Sequence, residues 1–335
     1  MTTPIPLWML ALVLLTSFAF PASPPSQSAS GMLLVTNKGD RTLSLIDPES
    51  GQQLAAVPEG GVTGHEVAAS PDGRLAFVPI YGNSGVGQPG TDGSTLTVID
   101  LAQRKATHSI DFGHGVRPHC AMFGPKDGLL YVTTELEKSV TVIDPRSFKI
   151  TGSIPTGQAE SHMLAISPDG RYGYTANVGP GTISVLDLAA RKNLGVIRVA
   201  NHVQRVSVSP DGRWIFTSDT EQPRLAVISA GDRKVDRWIE LPGEGYGSAS
   251  TPDGKLLLIA MPGARAVAAL DLATLQVRKT VPVPASPQEV LIRPDGKVAY
   301  VSCSESHQVA AISLGDWSVK LMEAGRDADG LAWAK

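Results

Sequence analysis

Short runs of alternating hydrophobic and polar residues follow one another along nearly the whole chain, each closed by turn-forming residues. In the clearest stretch, residues 168–209, a Pro-Asp-Gly turn leads into a run ending at Asn177, and a second run ends at Asp187. Two further apolar runs complete the group. Short runs rich in β-branched and aromatic residues are typical of strands, and none of these has a sustained helical period. The pattern predicts a four-stranded antiparallel unit.

This unit recurs with a period that is almost constant. Its opening turn occurs at Pro71-Asp72-Gly73, Pro168-Asp169-Gly170, Pro210-Asp211-Gly212, Pro252-Asp253-Gly254 and Pro294-Asp295-Gly296, with Pro125-Lys126-Asp127-Gly128 as a variant. Successive prolines are 54, 43, 42, 42 and 42 residues apart. Four strands per repeat of this length predict a β-propeller. The second strands are expected at 33–37, 75–80, 130–134, 172–177, 214–219, 256–261 and 298–303, which gives seven blades.

The two ends of the repeat region complete one blade between them. Residues 32–37 have the pattern of a second strand, and residues 331–335 have the pattern of a first strand. We therefore expect the C-terminal strand to join the N-terminal blade, which removes the exposed sheet edges of a linear array. The predicted fold is all-β, a seven-bladed β-propeller of four-stranded antiparallel blades.

Two recurrent motifs carry a family resemblance. Second strands such as Tyr174-Thr175-Ala176-Asn177 are followed by third strands ending like Val185-Leu186-Asp187. The chain resembles the YVTN-repeat β-propellers, which include YncE-like and surface-layer proteins and are similar to lactonase-type propellers. The resemblance covers residues 32–335, although Ser229 and Ser313 replace the usual aspartate of the third strand. It implies a fold more than a function, since one scaffold hosts many activities.

The first 30 residues differ from the repeats. An apolar run over residues 7–20 precedes a segment rich in proline and serine. The run is short for a membrane span and resembles a secretory signal, with an uncleaved single-helix anchor as the alternative. We expect a signal peptide and linker at 1–30, one propeller domain at 31–335, and a periplasmic or secreted protein with no membrane association after cleavage.

Composition narrows the choice of partners and of covalent links. The net charge of −3 and the scattered basic residues argue against a nucleic-acid partner, and we expect a monomer. Cys120 and Cys303 are the two cysteines. The repeat places them on different blades across the ring, too far apart for a disulfide, so both are predicted to be free thiols.

Three histidines occupy one position of the repeat. His65, His119 and His162 each lie six residues before the proline that opens the next repeat, at the start of an inner strand. We call the face where the inner strands start the top, and the face of the Pro-Asp-Gly turns the bottom. Neighbouring blades should bring these imidazoles together at the channel mouth, where three could hold zinc, copper or iron with an open position. In the alternative, each imidazole caps a loop or contacts the next blade.

Other top-face residues are candidates for ligand binding. The later blades have Gln204, Tyr246 and Gln288 at the position of the histidines. Blade 2 also carries an insertion over residues 81–93 whose glycines would let it fold over the channel. From this insertion, the candidates are Tyr81, Asn83 and Asp92. We expect a small molecule or a protein to bind at this face.

An enzyme is the alternative to a binding protein. In a metal-dependent, lactonase-like hydrolase, a metal-bound water would attack an ester or lactone carbonyl. Glu66 or Glu289 would be the base, or an acceptor for imidazole N–H groups, and Arg117 or Arg205 the oxyanion partner. The lactonase-type propellers use dispersed acidic ligands that this sequence does not plainly reproduce. A second alternative is an accessory subunit of a periplasmic redox system.

Overall fold

The computed structural model describes Met1 and residues 31–335, and the predicted signal segment lies outside the described residues. Residues 31–335 form one unit built from seven four-stranded antiparallel sheets. Its strands occur in the order in which the repeat predicts them. Within this part of the chain, no helix is long and apolar enough to serve as a membrane span.

Blades 1 to 4 follow the repeat from the N-terminus. Blade 1 contains β28 (Ala328–Ala334), β1 (Met32–Asn37), β2 (Thr42–Ile46) and β3 (Gln53–Pro58). Blade 2 contains β4 (Ala68–Ala69), β5 (Leu75–Gly82), β6 (Asp92–Asp100) and β7 (Lys105–Asp111). Blade 3 contains β8 (Pro118–Phe123), β9 (Leu130–Thr134), β10 (Ser139–Asp144) and β11 (Lys149–Pro155). Blade 4 contains β12 (Ser161–Ile166), β13 (Tyr172–Asn177), β14 (Thr182–Asp187) and β15 (Lys192–Arg198).

Blades 5 to 7 keep the same order from the inner to the outer strand. Blade 5 contains β16 (Ser207–Val208), β17 (Trp214–Asp219), β18 (Arg224–Ser229) and β19 (Lys234–Glu240). Blade 6 contains β20 (Ser248–Ser250), β21 (Leu256–Met261), β22 (Ala266–Asp271) and β23 (Gln276–Pro282). Blade 7 contains β24 (Pro287–Ile292), β25 (Val298–Cys303), β26 (Gln308–Ser313) and β27 (Val319–Glu323), with a 3₁₀ turn at Ser304–Ser306.

The ring closes as the terminal strands predict. β28 pairs with β1 in antiparallel register, with Met32 opposite Ala334 and Leu34 opposite Ala332. The first blade is thus assembled from both ends of the described chain. Such pairing gives β1 a hydrogen-bonded neighbour on each side and leaves it no open edge.

Each Pro-Asp-Gly turn is built by its own side chains. In the copy before β21, Thr251 Oγ1 donates to Asp253 Oδ1 at 2.7 Å, and Asp253 Oδ1 accepts from the backbone N–H of Lys255 at 3.1 Å. Gly254 has a φ of +69°, in the left-handed region that favours glycine. This turn chemistry explains why the motif fixes the register of the blades so well.

The two cysteines confirm the blade assignment. Cys120 lies in the inner strand of blade 3, Cys303 ends the second strand of blade 7, and both are buried free thiols. The core lies between blades, where apolar side chains of neighbouring sheets interlock. One such cluster joins Val142 of blade 3, Val185 of blade 4 and Ala226 of blade 5.

Candidate functional site

The structure brings the three histidines together at the top of the channel. The ring centroids of His119 and His162 are 3.5 Å apart, and those of His65 and His119 are 5.2 Å apart. His119 and His162 are buried, whereas His65 is half-buried. Because equivalent positions of adjacent blades are neighbours around the axis, the repeat register alone placed these side chains correctly.

Tyr81 completes this histidine cluster. Its ring centroid lies 4.9 Å from that of His65, 5.3 Å from that of His119 and 5.9 Å from that of His162. The Tyr81 hydroxyl donates a hydrogen bond to Glu135. Burial and the adjacent carboxylate raise the pKa of Tyr81, which holds the phenol neutral. Tyr81 was a predicted ligand-binding residue, and the structure places it against all three imidazoles.

Burial keeps the three imidazoles uncharged. It lowers the pKa of His65 to about 4; the charge of Asp329 opposes this shift, whereas the charges of Lys38 and Arg205 add to it. Burial also lowers the pKa of His119 and His162 well below the usual range, and the neighbouring imidazoles lower it further. Neutral imidazole is the form that ligates metals.

Two buried histidine nitrogens have no hydrogen-bond partner among the described residues. These are Nδ1 of His119 and Nδ1 of His162, both buried. Nε2 of His162 lies 3.4 Å from Nε2 of Gln204, a residue at the equivalent position of blade 5. Buried polar atoms are normally hydrogen-bonded. The unpaired nitrogens therefore mark a place where another donor, acceptor or ion could bind.

The present side-chain arrangement is not that of a formed metal centre. Within residues 31–335, no group of three or more His, Cys, Asp or Glu side chains is arranged to hold a metal ion. His119 and His162 face each other as tilted rings at an interplanar angle of 32°. Shared coordination of one ion would require the imidazoles to rotate.

The rest of the top ring has mixed roles. The guanidinium of Arg205 lies over the ring of Tyr246, with 5.1 Å between Arg205 Cζ and the ring centroid. The side-chain amide of Gln288 donates to Ser286 Oγ at 2.9 Å. Gly330 occupies the seventh position, where a Cβ would meet the carbonyl oxygen of His65 at 2.5 Å. Its backbone N–H donates to that carbonyl at 2.9 Å, so glycine lets β28 approach His65 closely.

The insertion of blade 2 is fastened to blade 3. Both flanking strands extend into it, since β5 continues to Gly82, beyond the predicted strand end at residue 80, and β6 begins at Asp92. Arg117 binds Asp92 at 2.7 Å and donates to the Gln88 carbonyl at 2.8 Å. Asn83 is exposed and accepts from the Thr91 N–H at 2.7 Å. Three of the predicted site residues thus hold this loop.

The other proposed catalytic residues lie one position further along the inner strands. Arg205 Nη2 lies 2.9 Å from Glu66 Oε1 and 3.2 Å from Asp329 Oδ1, and Lys38 Nζ lies 3.0 Å from Asp329 Oδ2. Glu289 accepts from the Leu331 N–H at 2.7 Å. We call these five side chains the ionic cluster, namely Lys38, Glu66, Arg205, Glu289 and Asp329. Strand alternation turns Glu66 and Glu289 away from the histidines, so neither accepts from an imidazole N–H as one alternative predicted, and their partners are Arg205 and the Leu331 N–H.

Sequence reasoning missed Lys38, Asp329 and Glu135. Glu135 binds Arg117 at 3.1 Å and is almost fully buried. Asp329 lies next to Gly330 in the closing strand, so its role follows only from the closed ring. A signal was present for part of the cluster, since Glu66, Arg205 and Glu289 occupy one repeat position and have complementary charges.

Comparisons with known proteins identify the class of fold. Residues 124–240, about a third of the chain, match the family described as the cytochrome D1 heme domain. The seven-bladed beta-propeller protein Rv1057 of Mycobacterium tuberculosis is 31% identical over 137 residues, which span 40% of this chain and 32% of that protein. Hydrazine Synthase of Kuenenia stuttgartiensis superposes with a TM-score of 0.72 at 21% identity, covering 86% of this chain and 93% of that chain.

These matches and the seven sheets define the chain as a seven-bladed β-propeller. The curated relative is matched over less than half of its length, and the structural neighbour is similar in fold alone. The YVTN-repeat resemblance remains a prediction made from the motifs.

Proposed function

We propose that this propeller is a binding protein whose ligand or partner engages the top of the channel at His65, His119 and His162. The observation that supports it most is the pair of unpaired, buried Nδ1 atoms on His119 and His162. Leaving such atoms without a partner costs about 1–3 kcal/mol each. A bound ligand that supplied the missing interaction would recover that free energy.

A divalent transition metal is the first ligand to test. All three imidazoles are held neutral, and imidazole suits zinc, copper and iron. Rotation of His119 and His162 would bring their free nitrogens toward a shared ion. Tyr81, in contact with all three rings, would lie beside it.

Elemental analysis of protein purified without a histidine tag or chelator tests the metal hypothesis. We expect close to one zinc, copper or iron per chain, and its loss in His119→Ala and His162→Ala while the fold survives. His108→Ala is the matched control, because His108 is an exposed residue of β7. Absence of metal after incubation with each ion would overturn the metal hypothesis and leave an organic ligand or a protein as the occupant.

The hydrolase alternative has less support from the geometry. Its proposed base, Glu66 or Glu289, and its proposed oxyanion partner, Arg205, belong to the ionic cluster beneath the histidines. Arg117 is bound to Asp92 and Glu135. These guanidinium groups already neutralise carboxylates, so they are poorly placed to stabilise a new oxyanion.

Haem is a further candidate cofactor, because the matched family is named for it. Haem iron needs an axial ligand such as histidine, and the matched stretch contains His162 and His202. The ring of His162 lies 3.5 Å from that of His119, which leaves no space for a macrocycle between them. His202 is exposed and lies 2.8 Å from Glu221. The residues in this arrangement do not fit haem, so a redox subunit built on it is not favoured.

Export is part of the same proposal. It rests on the apolar run at 7–20 and on the Pro/Ser-rich stretch that follows. Fractionation of expressing cells, with N-terminal sequencing of the product, tests it. We expect a shortened chain in the periplasm or medium.

A further inference from the structure

A separate cavity lies in the central channel beneath the histidines. It has a volume of about 340 Å³ and is lined by the inner strands of the blades. Glu66, Arg205 and Glu289 lie at its upper end, and it extends toward Pro168, where the inner strand of blade 4 ends at the bottom face. None of the three histidines lines it. The lining of this cavity is therefore distinct from the top-face histidine site.

The walls and the upper end of the cavity differ in character. Leu164, Val206 and Leu291 are among the side chains that make the walls apolar. Ligand cavities typically combine such walls with a few polar groups that fix orientation, and their volumes range from about 300 to 1,000 Å³. This cavity can thus hold a small amphipathic molecule whose polar end points toward the ionic cluster.

The ionic cluster has more acidic than basic groups. It contains two cations, Lys38 and Arg205, and three carboxylates. Asp329 contacts both cations, and Glu66 lies 2.9 Å from Arg205. Glu289 lies further from a cation, with 3.9 Å between Glu289 Oε2 and Arg205 Nη1, and its side chain is 20% exposed. Glu289 is therefore the least compensated carboxylate and the most accessible one.

Two further atoms of the cluster lack hydrogen bonds within the described residues. Glu66 Oε1 has no directed hydrogen bond despite its distance of 2.9 Å to Arg205, and Arg205 Nε has no partner. Both side chains line the cavity and are at most 6% exposed. Buried charged groups are normally fully paired. The unpaired Glu66 oxygen can accept from a ligand that donates hydrogen bonds, and the unpaired Arg205 Nε–H can donate to an acceptor.

We propose that this cavity binds a small organic ammonium ion, with its charged head at Glu289 and Glu66 and its apolar body along Leu164, Val206 and Leu291. With the ammonium head bound, the cluster would have three positive groups, namely Lys38, Arg205 and the ligand, for its three carboxylates. An anionic ligand would instead add to the excess of negative charge. Burial raises the pKa of Glu66 and of Glu289, and the contact between the two carboxyl groups raises that of Glu66 further. The pair therefore favours sharing a proton, and the ammonium head would replace that proton as the third positive charge.

Calorimetric titration with propylammonium, butylammonium, pentylammonium and hexylammonium tests the proposal. We expect saturable binding that tightens roughly fourfold with each methylene, because each one buries apolar surface against the walls. Hexanol and hexanoate are the matched neutral and anionic probes, and both should bind at least tenfold more weakly than hexylammonium. Equal binding of hexanoate, or no binding of the ammonium series, would overturn the proposal.

Three variants locate the binding. Glu289→Gln removes the charge with little change of shape and should weaken hexylammonium binding at least tenfold, whereas Glu221→Gln, at an exposed top-face residue, should leave it unchanged. Ala249→Leu narrows the cavity and should also weaken binding while every charge stays in place. This variant decides the matter if Glu289→Gln folds poorly. Unchanged affinity in Ala249→Leu would contradict the cavity as the site.

The metal site proposed at the top-face histidines can be tested independently of the ammonium site in the cavity. His119→Gln should abolish metal binding there and leave the hexylammonium affinity unchanged, because His119 does not line the cavity.

Discussion

Neutral histidines at the channel mouth make the stability of the protein depend on pH. The unfolded chain protonates its histidines below a pH of about 6.5, whereas the folded chain holds the pKa of His65 at about 4 and those of His119 and His162 well below normal. Between these limits the unfolded state binds more protons, so the free energy of unfolding falls as the pH falls.

We expect His119→Gln to reduce this dependence. The variant takes up one proton fewer on unfolding, so the slope of the unfolding free energy against pH should fall by up to about 1.4 kcal/mol per pH unit below pH 6.5. Urea unfolding at a series of pH values measures it. The raised pKa values of Glu66 and Glu289 act in the opposite sense, but they are common to both proteins and cancel in the comparison.

His108→Gln is the control for this experiment. His108 is exposed and lies in β7 at the outside of blade 2. For His108→Gln, the slope of the unfolding free energy against pH should match that of the wild type. Equal slopes for His119→Gln and the wild type would mean that His119 titrates normally in the folded protein, contrary to its burial.

At the scale of elements, the insertion of blade 2 depends on one side chain from blade 3. Arg117 contacts Asp92 and Glu135 and donates to the Gln88 carbonyl, and the Gly87 N–H also donates to Glu135. Arg117 and Glu135 are both buried. The loop is therefore held in place over blade 3 by an ion-pair network.

Arg117→Ala should destabilise the protein by about 3–5 kcal/mol, because it leaves the Glu135 carboxylate buried without its cation. Hydrogen exchange of the amides at 83–91 should accelerate in the same variant. Urea unfolding and exchange mass spectrometry measure the two effects. Arg237→Ala removes an exposed ion pair with Asp236 and should cause no measurable change. A loss below 1 kcal/mol in Arg117→Ala would show that the network does not secure the loop.

The strands and their neighbours could be predicted because the repeat is local. Predicted and observed second strands agree at 130–134, 172–177, 214–219, 256–261 and 298–303. Each one follows a turn whose Asp and Gly specify its geometry. The proximity of His65, His119 and His162 follows from the same register, since adjacent blades differ by one repeat.

The ionic cluster could not be predicted in the same way. Arg205 of blade 5 meets Glu66 of blade 2 and Asp329 of blade 1 across the channel. Contacts across the axis depend on the diameter of the ring and on how far each side chain reaches into the channel. The spacing of the repeat specifies neither. The contacts of Arg117 with the insertion could not be predicted for a related reason, because a long loop has no periodic register.

For the whole molecule, stability rests on the closing strand. β28 supplies the inner strand of blade 1, and it also carries Asp329, which binds Lys38 and Arg205. Removal of residues 327–335 should expose an edge of β1 and leave Arg205 with fewer carboxylates. Exposed strand edges promote association between chains.

We expect the truncated protein to aggregate or to lose cooperative unfolding, whereas the protein with an intact β28 stays monomeric. Size-exclusion chromatography with light scattering and thermal unfolding test this. A monomeric truncated protein with the same midpoint of thermal unfolding would show that the remaining blades close without β28.

The pairing of β28 with β1 also means that no blade is a natural starting point. Met32 and Ala334 are opposite each other in the sheet, so a linker of a few residues could join them and the chain could be opened at another turn. In such a circular permutant, the strands of blade 1 would be continuous in the chain, and another blade would combine strands from the two chain ends and so close the ring. The three imidazoles would remain neighbours in every permutant opened away from blades 2 to 4, because their proximity depends on the order of blades around the axis and not on where the polypeptide begins.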